Sequence, residues 1–230
     1  MAHLAHYREA HPLPYVISHW INLIAMVLLA CTGFLIHFPF LPGLMGFARG
    51  THMFAAFVIL ANLAFRIGSA FFIKSAPAGG TRQVDRDIKT FLPQKENRHQ
   101  LGAWIAYYLF LKKEHPLGAK YGVPQKMAYA AIPVLLLGIA FTGFCLWVPT
   151  GDWFVFQAFT DLVGGIMIVR IIHYWNMWVF ILFTAIHIYL ASIEGLAPLK
   201  MIFFWKEHGG LIYDLDVHNI VGEDTGENLA

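Results

Sequence analysis

The chain has 230 residues, 58% hydrophobic and 13% charged, with a formal net charge of +2. A soluble domain carries about 25% charged residues, so this composition excludes an ordinary soluble enzyme and describes an integral membrane protein, for which no nucleic-acid partner is expected. Both cysteines, Cys31 and Cys145, lie in apolar segments, and no Cys-x-x-Cys-His occurs, so covalently attached c-type haem is not expected.

In chain order, residues 15–38 are uncharged and stop at Pro39. Leu28-Leu29-Ala30-Cys31 resembles a lipoprotein cleavage box, but cleavage would discard His19 after an unusually long leader, so the segment is read as a retained helix. Residues 50–73 are interrupted only by Arg66. The apolar stretch 101–111 is too short to span; Trp104, Tyr107 and Tyr108, followed by Lys112 and Lys113, predict a helix lying in the interface. Residues 127–148 are uncharged and end at Pro149, and 165–193 carry only Arg170. Each long stretch exceeds the roughly 20 residues that a membrane helix needs. The expected fold is an all-α membrane protein, a four-transmembrane-helix bundle with an interfacial helix over residues 1–208. A polar tail follows at 209–230, read as lacking regular structure beyond Val221.

Loop charge sets the topology. Residues 74–126 hold ten Lys and Arg (Lys74, Arg82, Arg86, Lys89, Lys95, Arg98, Lys112, Lys113, Lys120 and Lys126), whereas 38–48 hold none and 149–164 hold only Asp152 and Asp161. The positive-inside rule puts 74–126 in the cytoplasm. With four spans, the N- and C-termini are then cytoplasmic too.

His173 and His187 stand fourteen residues apart in the last span. That is nearly four turns, so both rings lie on almost one face, about 21 Å apart along the axis. Ionisable residues inside a membrane helix are functional hypotheses by default. Stacked imidazoles suit two metal centres at two depths, and a b-type haem takes an axial ligand on each side of its iron. Helix direction places His19 level with His187 near the inner face, and His52 level with His173 near the outer face. Two haems are therefore expected, with His19 and His187 on the inner iron and His52 and His173 on the outer. His37 faces the same way as His19 but sits at the helix exit, in the headgroup region. His3, His6, His11, His99, His115, His208 and His218 fall in hydrophilic or interfacial segments and read as solvated.

Arg66 lies fourteen residues after His52, at the inner depth, and needs a partner there; a haem propionate is a good one. Arg49 and Arg170, three residues before His52 and His173, can serve outer propionates or snorkel to lipid phosphates. Thr32-Gly33-Phe34 and Thr142-Gly143-Phe144 form a faint repeat, each followed five residues later by proline. Its glycines suit either close approach of a flat macrocycle or small-residue helix packing.

Arg170-x-x-His173, Met177-Trp178, Phe183 and His187-Ile188-Tyr189, with Arg49-x-x-His52 and His19-Trp20, resemble the cytochrome b subunits of membrane-bound NiFe hydrogenases, relatives of the formate dehydrogenase cytochrome b subunits. The resemblance covers roughly residues 12–208. It implies two b-type haems on the four histidines and a bacterial or archaeal inner membrane location. It also implies electron transfer from the small and large subunits of a periplasmic hydrogenase to membrane quinone, menaquinone or ubiquinone. No cysteine cluster could hold a nickel–iron or iron–sulfur site, so the chain itself would not activate hydrogen. Related chains carry Tyr-Asn-x-x-Gln-Lys near the quinone; here the run is Tyr121-Gly122-Val123-Pro124-Gln125-Lys126, which leaves Tyr121 and Gln125 as candidate quinone contacts. The alternatives are a formate dehydrogenase or thiosulfate reductase partner, a stand-alone cytochrome b561-like carrier, and a colourless membrane protein whose histidines relay protons.

Overall fold

The computed structural model describes residues 3–92, 99–114, 116, 120–193 and 195–227. Lys95, Arg98 and His115 lie outside the described residues. The helices in chain order are α1 (Leu13–His37), α2 (Met45–Ser69), α3 (Ile88–Phe91), α4 (Leu101–Tyr108), α5 (Val123–Leu146), α6 (Val148–Gly151), α7 (Phe154–Leu162), α8 (Ile166–Ile193) and α9 (Leu196–Phe204). The strands are β1 (Lys74–Ser75), β2 (Asp85–Arg86), β3 (Gly210–Asp214) and β4 (Asn219–Asp224).

Four of these helices, α1, α2 with the 3-10 turn at its start, α5 and α8, are long and apolar enough to cross a membrane. Such helices satisfy their backbone polar groups internally, which lipid demands. The expected spans agree with them within a few residues, except that α2 starts five residues earlier. The break before α8 is made by Gly164 and Gly165, at φ +98 and +105, a left-handed pair that other residues adopt only with strain.

The chain forms two compact units, residues 1–20, 62–129 and 190–230 in the first, and 21–61 and 130–189 in the second. In the first unit β3 and β4 pair antiparallel, with an irregularity between Ile212 and Tyr213. The N-terminal segment joins this hairpin: Leu211 donates its N–H to the His3 carbonyl at 2.9 Å, and Ala5 to the Leu211 carbonyl at 3.0 Å. Tyr7 donates its hydroxyl to Asp224 at 2.7 Å, and Arg82 bridges Glu9 and Glu207 at 3.2 and 3.1 Å. The tail expected to lack structure beyond Val221 is therefore a strand through Asp224, held by a segment some 200 residues away in sequence. Helix α9 buries Met201 completely.

Helix α4 supplies buried Trp104 and Tyr107. Trp104 explains Gly122: a Cβ there would stand 2.6 Å from the indole ring, so only glycine admits this contact. Gly122→Ala should therefore cost about 1–3 kcal/mol by overpacking. Thermal unfolding of the detergent-solubilised protein measures this, and an unchanged midpoint would refute the contact.

In the second unit, α7 lays Phe156 and Phe159 against Phe141 of α5, at centroid distances of 5.2 and 5.1 Å. Residues 149–164, expected to be a loop, thus carry most of α6 and all of α7. Further ring contacts tie α1 to α8 (Phe34–Trp178, 5.6 Å) and α2 to α5 (Phe57–Phe144, 5.9 Å).

Candidate functional site: a paired-imidazole centre

The second unit brings His52 of α2 and His173 of α8 together, with ring centroids 6.3 Å apart and planes at 59°. Each ring is held by a threonine from a third or fourth helix. Thr32 Oγ1 of α1 lies 2.9 Å from His52 Nδ1, and Thr142 Oγ1 of α5 lies 2.9 Å from His173 Nδ1. Each hydroxyl also donates back to its own helix, Thr32 to the Leu28 carbonyl at 2.5 Å and Thr142 to the Ile139 carbonyl at 2.9 Å. A hydroxyl has one proton. With that proton on a carbonyl, the oxygen accepts from the ring, which assigns the imidazole proton to Nδ1 and leaves the Nε2 lone pair for a metal.

The spacing fits the same chemistry. Two imidazoles on opposite sides of one metal each stand about 2 Å from it, with about 1.1 Å more to the ring centre, so their centroids lie about 6 Å apart. Next to each threonine is a glycine under the ring. A Cβ on Gly33 would lie 3.6 Å from His52 Cε1, and one on Gly143 would lie 3.3 Å from His173 Cε1. The residues present therefore fit a group ligated by two histidines.

The Met177-Trp178 pair acquires a physical reason here. Met177 Sδ stands 3.5 Å from where a Gly33 Cβ would be, and Trp178 meets Phe34 edge-on. Both pack on the first Thr-Gly-Phe segment. Arg49 and Arg170 are exposed, one turn from His52 and His173. His37, also exposed, stacks on Tyr174 at 4.1 Å.

His19 belongs to the first unit and His187 to the second. His19 is half-buried beside Trp20, whose indole N–H donates to the Ile202 carbonyl at 3.0 Å. His187 lies near-parallel to Phe183 at 6.1 Å.

Arg66 has a carboxylate partner within the chain. Its Nη2 donates to Asp87 at 2.7 Å, and its guanidinium lies 3.8 Å over the Tyr15 ring. That carboxylate is a side chain from the loop after α2, and Arg66 Nη1 is buried with no hydrogen-bond partner among the described residues. Asp87 is fully buried and also accepts from Ser75 and from Lys120 Nζ at 3.0 Å. Burial alone would push the Asp87 carboxyl up, but Lys120, Ser75 and Arg66 hold it below the usual carboxylate range.

Tyr121 and Gln125 have packing roles of their own. Gln125 Oε1 accepts the Gly122 N–H at 2.8 Å, which closes the start of α5. Tyr121 is buried against Phe91 and Tyr129, at 5.5 and 4.8 Å between centroids. Sequence reasoning missed the roles of Thr32 and Thr142, although their repeated Thr-Gly-Phe setting was the available signal.

Curated relatives of similar length match most of the chain. A probable Ni/Fe-hydrogenase B-type cytochrome subunit of Azotobacter chroococcum mcd 1 is 26% identical over 209 residues, covering 82% of each chain. One from Rhizobium leguminosarum bv. viciae is 27% identical over 203 residues, again 82% of each. The probable Ni/Fe-hydrogenase 1 B-type cytochrome subunit of Escherichia coli K12 is 26% identical over 201 residues, 80% of this chain and 81% of its own. Residues 10–204, a stretch that contains both histidines of the pair and both threonines that hold them, match the family described as prokaryotic cytochrome b561, and the chain belongs to that family.

Proposed function

We propose that this chain is the dihaem cytochrome b anchor of a membrane-bound NiFe hydrogenase, relaying electrons from a periplasmic iron–sulfur subunit to membrane quinone. The observation that carries the reading is the imidazole pair of His52 and His173, with both Nδ1 atoms engaged and both Nε2 atoms left for iron. Family membership and the names of the relatives support the hydrogenase partner. The haems supply one-electron redox chemistry at potentials set by ligands, polarity and access.

In this reading His52 and His173 hold the outer haem, and Arg49 and Arg170 are placed to meet its propionates. His19 and His187 hold a second haem towards the cytoplasm. Quinone reacts on that side, beside the loop that enters α5, where Tyr121 and Gln125 stand. The supports for this inner half are the loop charges and the helical spacing of His173 and His187. The proposed location is the inner membrane of a bacterium or archaeon, with both termini in the cytoplasm.

The test is purification of the membrane complex through a tag on this chain. Hydrogenase subunits should copurify, hydrogen should reduce the haems, and a quinone analogue should reoxidise them. Gln125→Leu should slow that reoxidation while leaving reduction by hydrogen unchanged. Reduction by formate and not by hydrogen would replace the hydrogenase by a formate dehydrogenase, and a colourless protein would end the cytochrome reading.

A further inference from the structure

The two Thr-Gly-Phe segments lie on different helices, α1 and α5, and meet histidines on different helices, α2 and α8. Yet the local chemistry is the same in both. Each threonine is buried, at 9% exposure for Thr32 and 3% for Thr142. Each donates its proton one turn back along its helix, and each has its oxygen 2.9 Å from a histidine Nδ1. The glycine that follows brings the ring against the helix backbone.

Back-bonding to the carbonyl is common for threonine in membrane helices and needs no histidine. A back-bonded hydroxyl is already satisfied as a donor, so the contact with the ring is a separate use of the acceptor. Water cannot readily replace it, because both threonines are buried.

We propose that Thr32 and Thr142 are positioning residues for the outer haem, a duplicated device that fixes the proton of each ligand on Nδ1 and orients Nε2. The proposal rests on the reading of His52 and His173 as ligands of one iron. A hydrogen bond accepted from Nδ1–H makes the imidazole a better donor to the metal. A more basic ligand favours the oxidised iron, so losing the bond should favour the reduced form. Each threonine acts on one of the two ligands, so their effects should act in the same direction and add.

The experiment is a redox titration of the full complex with Thr32→Val, Thr142→Val and the double variant, together with low-temperature EPR of the oxidised haems. Valine keeps the shape and removes the hydroxyl oxygen, leaving the Leu29 and Ile139 carbonyls as the acceptors that remain beside the two rings. The reduced-to-oxidised ratio of the outer haem at a fixed potential should rise by roughly three- to tenfold per substitution, where tenfold is about 59 mV for one electron. The double variant should show about the sum of the two shifts, and the inner haem should not move. The low-spin signal of the outer haem should also shift as the ring planes lose their hold. Thr32→Ser and Thr142→Ser should restore wild-type values.

Valine variants with unchanged outer potential and unchanged EPR would overturn the proposal. If valine causes the outer haem to be lost, the serine variants decide. Retention at the normal potential supports the hydroxyl's role, and loss in serine as well overturns it. Failure of the underlying reading has a different signature, since His52→Ala would then leave both haems in place.

Discussion

Replacing His52 or His173 by alanine should each remove the same haem and leave the other. The two ring centroids lie 6.3 Å apart in a single unit, so if both hold one iron, losing either would release that haem. Pyridine haemochrome assay should fall from about two haems per chain to about one, and a redox titration should lose one component. His19→Ala and His187→Ala should lose the other component. His37→Ala should lose neither, because that ring is exposed at the end of α1 and stacked on Tyr174. Loss of different components in His52→Ala and His173→Ala would contradict the pairing. So would a His37→Ala variant that behaved like His52→Ala.

The largest effect on stability is expected at Asp87. Its carboxylate is fully buried, and Lys120, whose side chain is 3% exposed, has it as an ion-pair partner together with Arg66. Asp87→Asn removes the negative charge and leaves buried Lys120 and half-buried Arg66 without their shared carboxylate. Breaking a buried pair from one side costs about 3–5 kcal/mol. Thermal unfolding in detergent should show that loss, and adding Lys120→Met to Asp87→Asn should recover part of it. A double variant as unstable as the sum of the singles would show that the two groups are not coupled.

Acid should act through the same unit. The Asp87 pKa is held below its ordinary 3.8, so its contribution is present above about pH 4 and is lost as pH falls through the lowered value. His11 is pushed down from 6.5 to about 3 by burial, with the charges of Lys120 and His6 adding to it. A histidine kept neutral stabilises the fold above pH 6.5, and that stability is lost progressively as pH falls towards 3. Wild-type stability should therefore decline from near pH 6.5, with a further loss below about pH 4 that Asp87→Asn lacks.

The membrane helices were legible because absence of charge over twenty or more residues is a strong signal that needs no tertiary information. The meeting of His52 with His173 was legible for a related reason: a fixed helical rise turns a spacing in residues into a depth. What escaped was everything that depends on distant partners. Asp87 comes 21 positions after Arg66 in a loop, and nothing in its immediate sequence marks it as a buried anion. The hairpin of β3 and β4 gains an extra partner from Leu4, at the other end of the chain. Helices α7 and α9, at nine residues each, are too short for apolar content to separate them from loops. Thr32 and Thr142 were visible as a repeat, but a repeat does not say which atoms meet. Gly122, which stands where related chains carry Asn, leaves the space that Trp104 occupies.

Two non-covalent haems on four histidines are proposed for each chain of this protein. This is tested most directly by the haem-to-protein ratio of the purified wild-type complex, from pyridine haemochrome absorbance and quantitative amino-acid analysis of this subunit. The expected ratio is about two b-type haems per chain, both extracted by acidic acetone. A ratio near one would leave one histidine pair without its iron, and a ratio near zero would contradict the account altogether.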